Sequence, residues 1–154
     1  MKIMDFMIKD VISVQETASV KELLQTLVNH KVGGVPVLNA EGKLTGMVSD
    51  GDIIRFMKPK DQRVYDFFSY VVMTNPETLE ATVDRKLEQN VTKVMKKTGL
   101  FTVAPEDDLE KAMTIFSTHH FKKIPVIDAQ KNVAGVVSRG DIIRQLAQFI
   151  LNAK

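Results

Sequence analysis

The 154-residue chain contains no cysteine, which excludes disulfide staples, thiolate metal sites and cysteine nucleophiles. No apolar run approaches the roughly 18 residues that a membrane span needs. The start, MKIMDFMIKD, is interrupted by Lys2, Asp5, Lys9 and Asp10, so it lacks the apolar core of a signal peptide. Excess charge of either sign is missing too. Lys plus Arg number 21 against 19 Asp plus Glu, a net +2, which argues against a dominant polyanion-binding surface. What is present is 44% hydrophobic and 26% charged, enough apolar material for a packed core. The expectation is a soluble protein of a reducing compartment, the cytoplasm.

An internal repeat organises the chain. Residues 30–55 read HKVGGVPVLNAEGKLTGMVSDGDIIR, and residues 119–144 read HHFKKIPVIDAQKNVAGVVSRGDIIR; at a constant offset of 89, twelve of the 26 positions are identical. Val11–Val14 and Leu100–Val103 read as short buried strands. Ser19-Val20-Lys21-Glu22 is a capping-box pattern opening an amphipathic helix that aligns Val20, Leu23, Leu24, Leu27 and Val28. Asp108 stands at the matching start in the second copy. Val35–Leu38 and Ile124–Ile127 read as strands with the proline at their first residues. Asn39–Lys43 supplies a hairpin turn before Leu44–Ser49. Second helices are expected from Asp50 to about Met57 and from Arg139 to about Asn152. Each copy is thus β-α-β-β-α, an α/β (α+β) pattern. One copy is too small to bury enough surface alone, so two should pack about a pseudo-twofold axis and share a core.

Three segments follow: a first repeat at 1–58, an insertion at 59–90 and a second repeat at 91–154. Within the insertion, Arg63–Met73 is an apolar stretch holding Tyr65, Phe67, Phe68 and Tyr70. After Thr74-Asn75-Pro76, a proline-marked helix start, Leu79, Val83 and Leu87 recur at helical spacing. The insertion reads as two added helices, covering the core or offering a partner surface.

The recurring chemistry is Gly46-Met47-Val48-Ser49-Asp50-Gly51-Asp52, echoed by Gly135-Val136-Val137-Ser138-Arg139-Gly140-Asp141. Both place a hydroxyl at a strand end, three residues before a carboxylate in the first helical turn. A capping box accounts for Ser-x-x-Asp without any ligand. A ribose-binding site accounts for it equally, since an acid at a helix start can accept hydrogen bonds from a diol, and Gly51 and Gly140 permit close approach to the backbone.

These motifs resemble the CBS domain, named after cystathionine β-synthase, whose repeats occur in pairs. The likeness covers about residues 1–58 and 91–150. Ser49 and Ser138 stand where threonine is commoner, and Asn39 where aspartate is usual. The resemblance implies two clefts for adenine nucleotides (AMP, ADP, ATP or S-adenosylmethionine). Asp52 and Asp141 would take the ribose hydroxyls, with Ser49 and Ser138 near the sugar or phosphate. Apolar segments facing Asp52 would be Leu100, Phe101, Phe121 and Ile124; those facing Asp141 would be Val11, Ile12, Val32 and Val35. Lys122 and Lys123 match basic positions that hold phosphate, with His119 and His120 nearby, whereas the first repeat has Gly33 and Gly34. Residues 91–154 carry a net +4 while 1–58 balance at seven of each sign, so the Asp52 cleft is expected to be the better phosphate site.

Other constellations are weaker. His119 and His120 have no third metal ligand in evidence, and the pairing of His30 with His119 suggests a shared structural or phosphate-proximal role. No segment resembles a nucleophile elbow or a phosphate-binding lysine loop. Lys96-Lys97 and Lys122-Lys123 lack interleaved aromatics apart from Phe121, which disfavours nucleic acid. The eight methionines suit core packing. The reading is a non-catalytic regulatory module, homodimeric, that senses an adenine nucleotide and signals to a protein target. The alternative is a ligand-free dimerisation or scaffold module in which both carboxylates only cap helices.

Overall fold

The computed structural model describes residues 1–60, 64–67, 70–73 and 75–153. The first repeat runs β1 (Val14–Gln15), α1 (Val20–His30), β2 (Gly34–Leu38), β3 (Leu44–Ser49) and α2 (Asp50–Met57). An intervening segment holds β4 (Val64–Phe67), β5 (Tyr70–Met73) and α3 (Leu79–Lys86), and the second repeat holds α4 (Leu109–Thr118), β6 (Lys123–Ile127), β7 (Val133–Ser138) and α5 (Arg139–Asn152).

Local chemistry accounts for most element starts. Ser19 Oγ accepts from the Glu22 N–H (3.1 Å) while Glu22 Oε2 accepts from the Ser19 N–H (2.9 Å), closing the capping box of α1. Asp108 also precedes its helix, but its carboxylate pairs with Lys2 at 2.8 Å and makes no capping bond. In both hairpins an Asx turn sets the register. Asn39 Oδ1 accepts from the N–H groups of Glu41 and Lys43, and Asp128 Oδ1 from those of Gln130 and Asn132.

β2 pairs antiparallel with β3 and parallel with β1; β6 pairs antiparallel with β7. The expected strands at 11–14 and 100–103 are much shorter than their apolar runs. Only Val14–Gln15 pairs in the first, and only Val103, opposite Val126, in the second. The prolines account for this. Val103 donates to the Pro125 carbonyl (3.2 Å) and accepts from Ile127 (2.8 Å). The next bond upstream would need an N–H on Pro125, which has none. Pro36 and Pro125 therefore stand mid-strand rather than at the strand starts, each turning its ring nitrogen away from the hairpin partner.

The intervening segment differs from two helices. β4 and β5 form an antiparallel hairpin with Val64 opposite Met73 and Phe67 opposite Tyr70. Valine, tyrosine and phenylalanine favour the pleated conformation, and here that preference wins over apolar content. Arg63, Phe68 and Thr74 lie outside the described residues. The single helix starts at Thr78, whose Oγ1 accepts from the Ala81 N–H (3.2 Å), not at Asn75-Pro76. Leu79 is exposed; Thr82 is the buried residue of α3. Lys86 fastens α3 to α2, donating to the Phe56 carbonyl and standing over the Phe56 ring.

Two cores result. One gathers Val14, Leu23, Leu27, Val35, Val37, Val48 and Ile53, and the other Val103, Leu109, Ala112, Ile115, Ile124, Val126, Val137 and Ile142. Each is completed by the opening segment of the opposite repeat. Ile3, in a 3-10 turn at Ile3–Asp5, is fully buried in the second core, and Val91, in a 3-10 turn at Val91–Lys93, in the first. The straps continue as two-bond bridges, Ile8 with Val136 of β7 and Lys96 with Met47 of β3. No helix among the described residues is long and apolar enough to cross a membrane.

Candidate functional site

The two second helices begin alike. Asp52 Oδ2 accepts from the Ser49 N–H (2.9 Å) and the Ser49 hydroxyl (3.0 Å), and its Oδ1 accepts from Arg55 Nη2 (2.8 Å). In the second repeat Asp141 Oδ2 accepts from the Ser138 N–H (2.7 Å) and hydroxyl (2.8 Å), and Arg144 pairs with Oδ1. There the Asp141 N–H also donates to Ser138 Oγ (3.2 Å). Both carboxylates thus serve as helix-start acceptors, but their exposure differs: the Asp52 side chain is 24% accessible and that of Asp141 5%.

A cleft of about 290 Å³ opens beside Asp52, between the repeats. The first repeat contributes Gly34, the end of β3 and the first turns of α2 through Arg55. The second contributes Leu100 and Phe101 ahead of Val103, then His120 to Lys123 and Pro125. Lys96 of the crossing strap completes it. One wall is aromatic. The Phe101 and Phe121 ring centroids lie 5.5 Å apart, the His119 ring stacks on Phe101 at 4.2 Å, and Lys96 Nζ stands 4.9 Å from the Phe121 centroid. Such a wall suits a flat heterocycle.

The cleft is also charged. Lys122 Nζ pairs with Asp50 Oδ2 at 2.6 Å, joining the two repeats across the cleft. That lysine and the Gly51 N–H hold the Asp50 carboxyl below the usual carboxylate range. Lys123 sits alongside and is half-buried; burial pushes its ammonium below the ordinary lysine value of 10.5. The first N–H groups of α2 add a partial positive charge. Together these supply a stacking wall, a carboxylate and cationic groups within one cavity.

The structure brings Ser49, Asp52, Leu100, Phe101, Phe121, Lys122 and Lys123 to this cleft. Ile124 is not among its lining residues. Alternation along β6 turns Lys123 and Pro125 to the cleft and Ile124 into the core, where it is fully buried. Val35 is likewise fully buried in the first core, and Ile12 and Val32 pack on its margin. Val11 is partly exposed, and Ser138 and Asp141, at the α5 start, are not among the lining residues, although Ser138 is the strand partner of Lys123 and Asp141 attracts its ammonium. The three histidines separate: His30 caps its own helix through the Thr26 carbonyl, His119 stacks on Phe101, and His120 lines the cleft.

Sequence reasoning overlooked Arg55, Arg144, Asp50 and Lys96. The arginines were legible in the identical Gly-Asp-Ile-Ile-Arg of both copies, since an acid and a base three residues apart meet on a helix. Asp50 was legible as a charge reversal against Arg139. Lys96 stood out only as half of the basic pair Lys96-Lys97, with nothing to place it at this cleft.

A family model described as the CBS domain matches residues 3–59 and 91–148. The chain is 28% identical over 155 residues to the uncharacterized protein MJ1426 of Methanocaldococcus jannaschii, covering 95% of this chain and 91% of that one. It is 30% identical over 159 residues to the chloroplastic CBS domain-containing protein CBSX1 of Arabidopsis thaliana, covering 94% of this chain and 64% of that one. The crystal structure of CBSX2 in complex with AMP superposes with a TM-score of 0.72 at 25% identity, covering 96% of this chain and 97% of that one.

Proposed function

Because the chain belongs to the CBS domain family, matched in both of its repeats, we propose that it is a non-catalytic regulatory module binding an adenine nucleotide at the seam of those repeats. The observation that carries the reading is the cleft itself, which joins the Phe101–Phe121 wall of one repeat to the Ser49–Asp52 helix start of the other. The likeness to CBSX2, a protein solved with AMP, supports it.

In this reading the base lies against Leu100, Phe101 and Phe121, and the phosphate meets Lys123 and the first N–H groups of α2. The ribose hydroxyls go to Asp52. A carboxylate offers about four lone-pair sites, and three donors already occupy Asp52. A diol therefore uses the open site and displaces Arg55, whose side chain is 73% exposed. A second, weaker site is proposed around Ser138 and Asp141, for which Val11, Ile12 and Val32 would supply the apolar side; there the carboxylate is nearly inaccessible. S-adenosylmethionine, ADP and ATP remain candidate ligands beside AMP. Ser49 donates to a carboxylate already held by Arg55, an arrangement that caps a helix rather than activates a nucleophile, so no catalysis is assigned.

Occupancy changes how the repeats pack, and a ligand shifts that equilibrium by its differential affinity for the two states. The output passes to a protein target or a second copy. Ile54 on α2 and Ile143 on α5, equivalent positions, are both exposed, which supports a homodimer through these helices. One observation favours a ligand-free scaffold instead: capping and an arginine pair within the same helix account for every hydrogen bond that the two carboxylates make.

A thermal-shift panel of AMP, ADP, ATP and S-adenosylmethionine separates the two readings. Ligand at about 100 times its dissociation constant adds about 2.7 kcal/mol, or about 5–10 °C for a chain of this size. A shift lost in Asp52→Ala supports the sensor. No shift with any of them supports the scaffold.

A further inference from the structure

Position 50 is where the two matched helix starts carry opposite charge: Asp50 in Ser-Asp-Gly-Asp, Arg139 in Ser-Arg-Gly-Asp. The side chain that Asp50 meets comes from a second departure between the copies. Lys122 of the second repeat is the counterpart of Gly33 in the first. A Cβ at Gly33 would lie 3.2 Å from Asp50 Oδ2 and 3.7 Å from Lys122 Nζ. The bare glycine leaves room for a lysine 72 residues from its partner to reach across the cleft. Both departures therefore converge on one ion pair.

That pair decides how much positive charge the cleft can offer an anion. Four cations line it: Arg55, Lys96, Lys122 and Lys123. Lys122 is bound to Asp50, and Arg55 to Asp52 until a ribose diol displaces it. The charge left for a phosphate is Lys96, above the Phe121 ring, Lys123, which Asp141 also attracts, and the guanidinium that the diol sets free. These suffice for the two negative charges of one phosphate. A triphosphate brings about twice that charge into a cleft that the Asp50 carboxylate also lines.

We propose that Asp50 sets the charge class of the ligand, admitting a nucleoside monophosphate and rejecting a polyphosphate, by holding Lys122 across the cleft and placing its own carboxylate against further phosphates. The proposal rests on the nucleotide reading above and adds a residue that discriminates within it. Repulsion of the wrong ligand, more than attraction of the right one, supplies the selectivity.

The test is calorimetric titration of the full chain with AMP and with ATP, in EDTA so that no divalent cation screens the phosphates. Wild type is compared with Asp50→Asn and with Asp50→Arg, the latter borrowing the residue that the second repeat carries at the equivalent helix position. Wild type is expected to bind AMP more tightly than ATP. Asp50→Asn is expected to narrow the gap by about tenfold through tighter ATP binding, leaving AMP within about twofold, and Asp50→Arg to narrow it further. Loss of a merely structural ion pair would move both nucleotides together. AMP and ATP binding wild type with a ratio that neither variant changes overturns the role of Asp50 and leaves the nucleotide reading standing. Binding of neither nucleotide to any of the three proteins overturns both. Ligand-free melting curves identify a variant that has lost its fold, and the other variant then decides the outcome.

Discussion

Ile3 and Val91 fill equivalent places in opposite cores. Ile3, at the start of the first repeat, is fully buried beside Val103, Leu109 and Ile124, and Val91, at the start of the second, beside Val14, Leu23 and Val35. The backbone repeats the exchange. Ile3 donates to the Asp107 carbonyl (2.9 Å), and Val91 to that of Ala18 (2.9 Å). Each repeat is thus sealed by chain that belongs, in sequence, to the other.

Ile3→Ala should lower stability by about 2–5 kcal/mol, the range for truncating a buried aliphatic side chain. Chain ends are ordinarily tolerant of change, so the size of the loss reports the crossing. Urea unfolding measures it; a loss below about 1 kcal/mol would show that the strap does not pack as described.

Gly46→Ala and Gly135→Ala should each destabilise by about 1–3 kcal/mol through overpacking. A methyl at Gly46 would meet Met95 Sδ at 2.6 Å and the Lys96 carbonyl at 2.9 Å; at Gly135 it would meet Met7 Sδ at 2.7 Å and the Ile8 carbonyl at 2.9 Å. A methionine can swing aside, but a carbonyl held in a two-bond bridge cannot. Thermal unfolding of both variants, with Gly42→Ala as the uncrowded control, tests this. Gly42 has nothing within reach of a Cβ but sits at φ +78°, so its cost is conformational alone.

Arg144→Ala should cost about 1–3 kcal/mol, because it leaves the buried Asp141 carboxylate without its cation. Arg55→Ala should cost less than about 1 kcal/mol, since water can reach Asp52. Equal losses in chemical denaturation would remove the distinction drawn between the two helix starts.

Lys123 ties stability to function in opposite directions. Burial lowers its pKa in the folded state, so between that value and 10.5 the unfolded chain binds more protons, and stability rises with pH across this window. Lys123→Met should abolish that slope and leave stability at neutral pH unchanged or higher. The same change should weaken nucleotide binding about tenfold or more by removing a charge-assisted bond. Denaturation at pH 7 to 10 and calorimetry at pH 7 give the two halves separately.

Asp50 behaves as the acid counterpart. Its folded pKa lies below the ordinary value, so the stabilisation from the Lys122 pair is present above the usual carboxylate range and is lost as pH falls through the folded value. Asp50→Asn should flatten the acid limb of a pH–stability curve only slightly, because both side chains are nearly half exposed. A steep change would place the pair in a drier setting than the structure shows.

The parts of the fold legible in the sequence are those set by residues within about four positions of one another. The Ser19–Glu22 box, the Asx turns at Asn39 and Asp128, and the Ser-x-x-Asp starts of α2 and α5 all formed where their motifs stand. The extent of α2 and α5 follows from the same patterns. The hairpin β4–β5 was missed because Tyr65, Phe67 and Tyr70 were weighed as apolar content, not as residues that favour a pleat. The candidate cleft was legible in its polar half, through Ser49, Asp52 and the Lys122-Lys123 pair. Ile124 was misplaced because apolar character does not say which side of β6 a residue takes.

By itself the sequence determined the duplication, the starts of α1, α2 and α5, the hairpins within the two repeats and the uneven charge of those repeats, since each depends on local hydrogen bonds or on composition. Only the tertiary structure decided that Ile3 and Val91 cross to opposite cores, that Pro36 and Pro125 cut short the strands beside them, and that Lys122 is held by Asp50 while Lys123 lines the cleft half-buried. Hydrophobic periodicity names the face that an element buries, but not the element it is buried against. Charge pairing across 72 residues depends on where two backbones come to rest, which no spacing along the chain encodes.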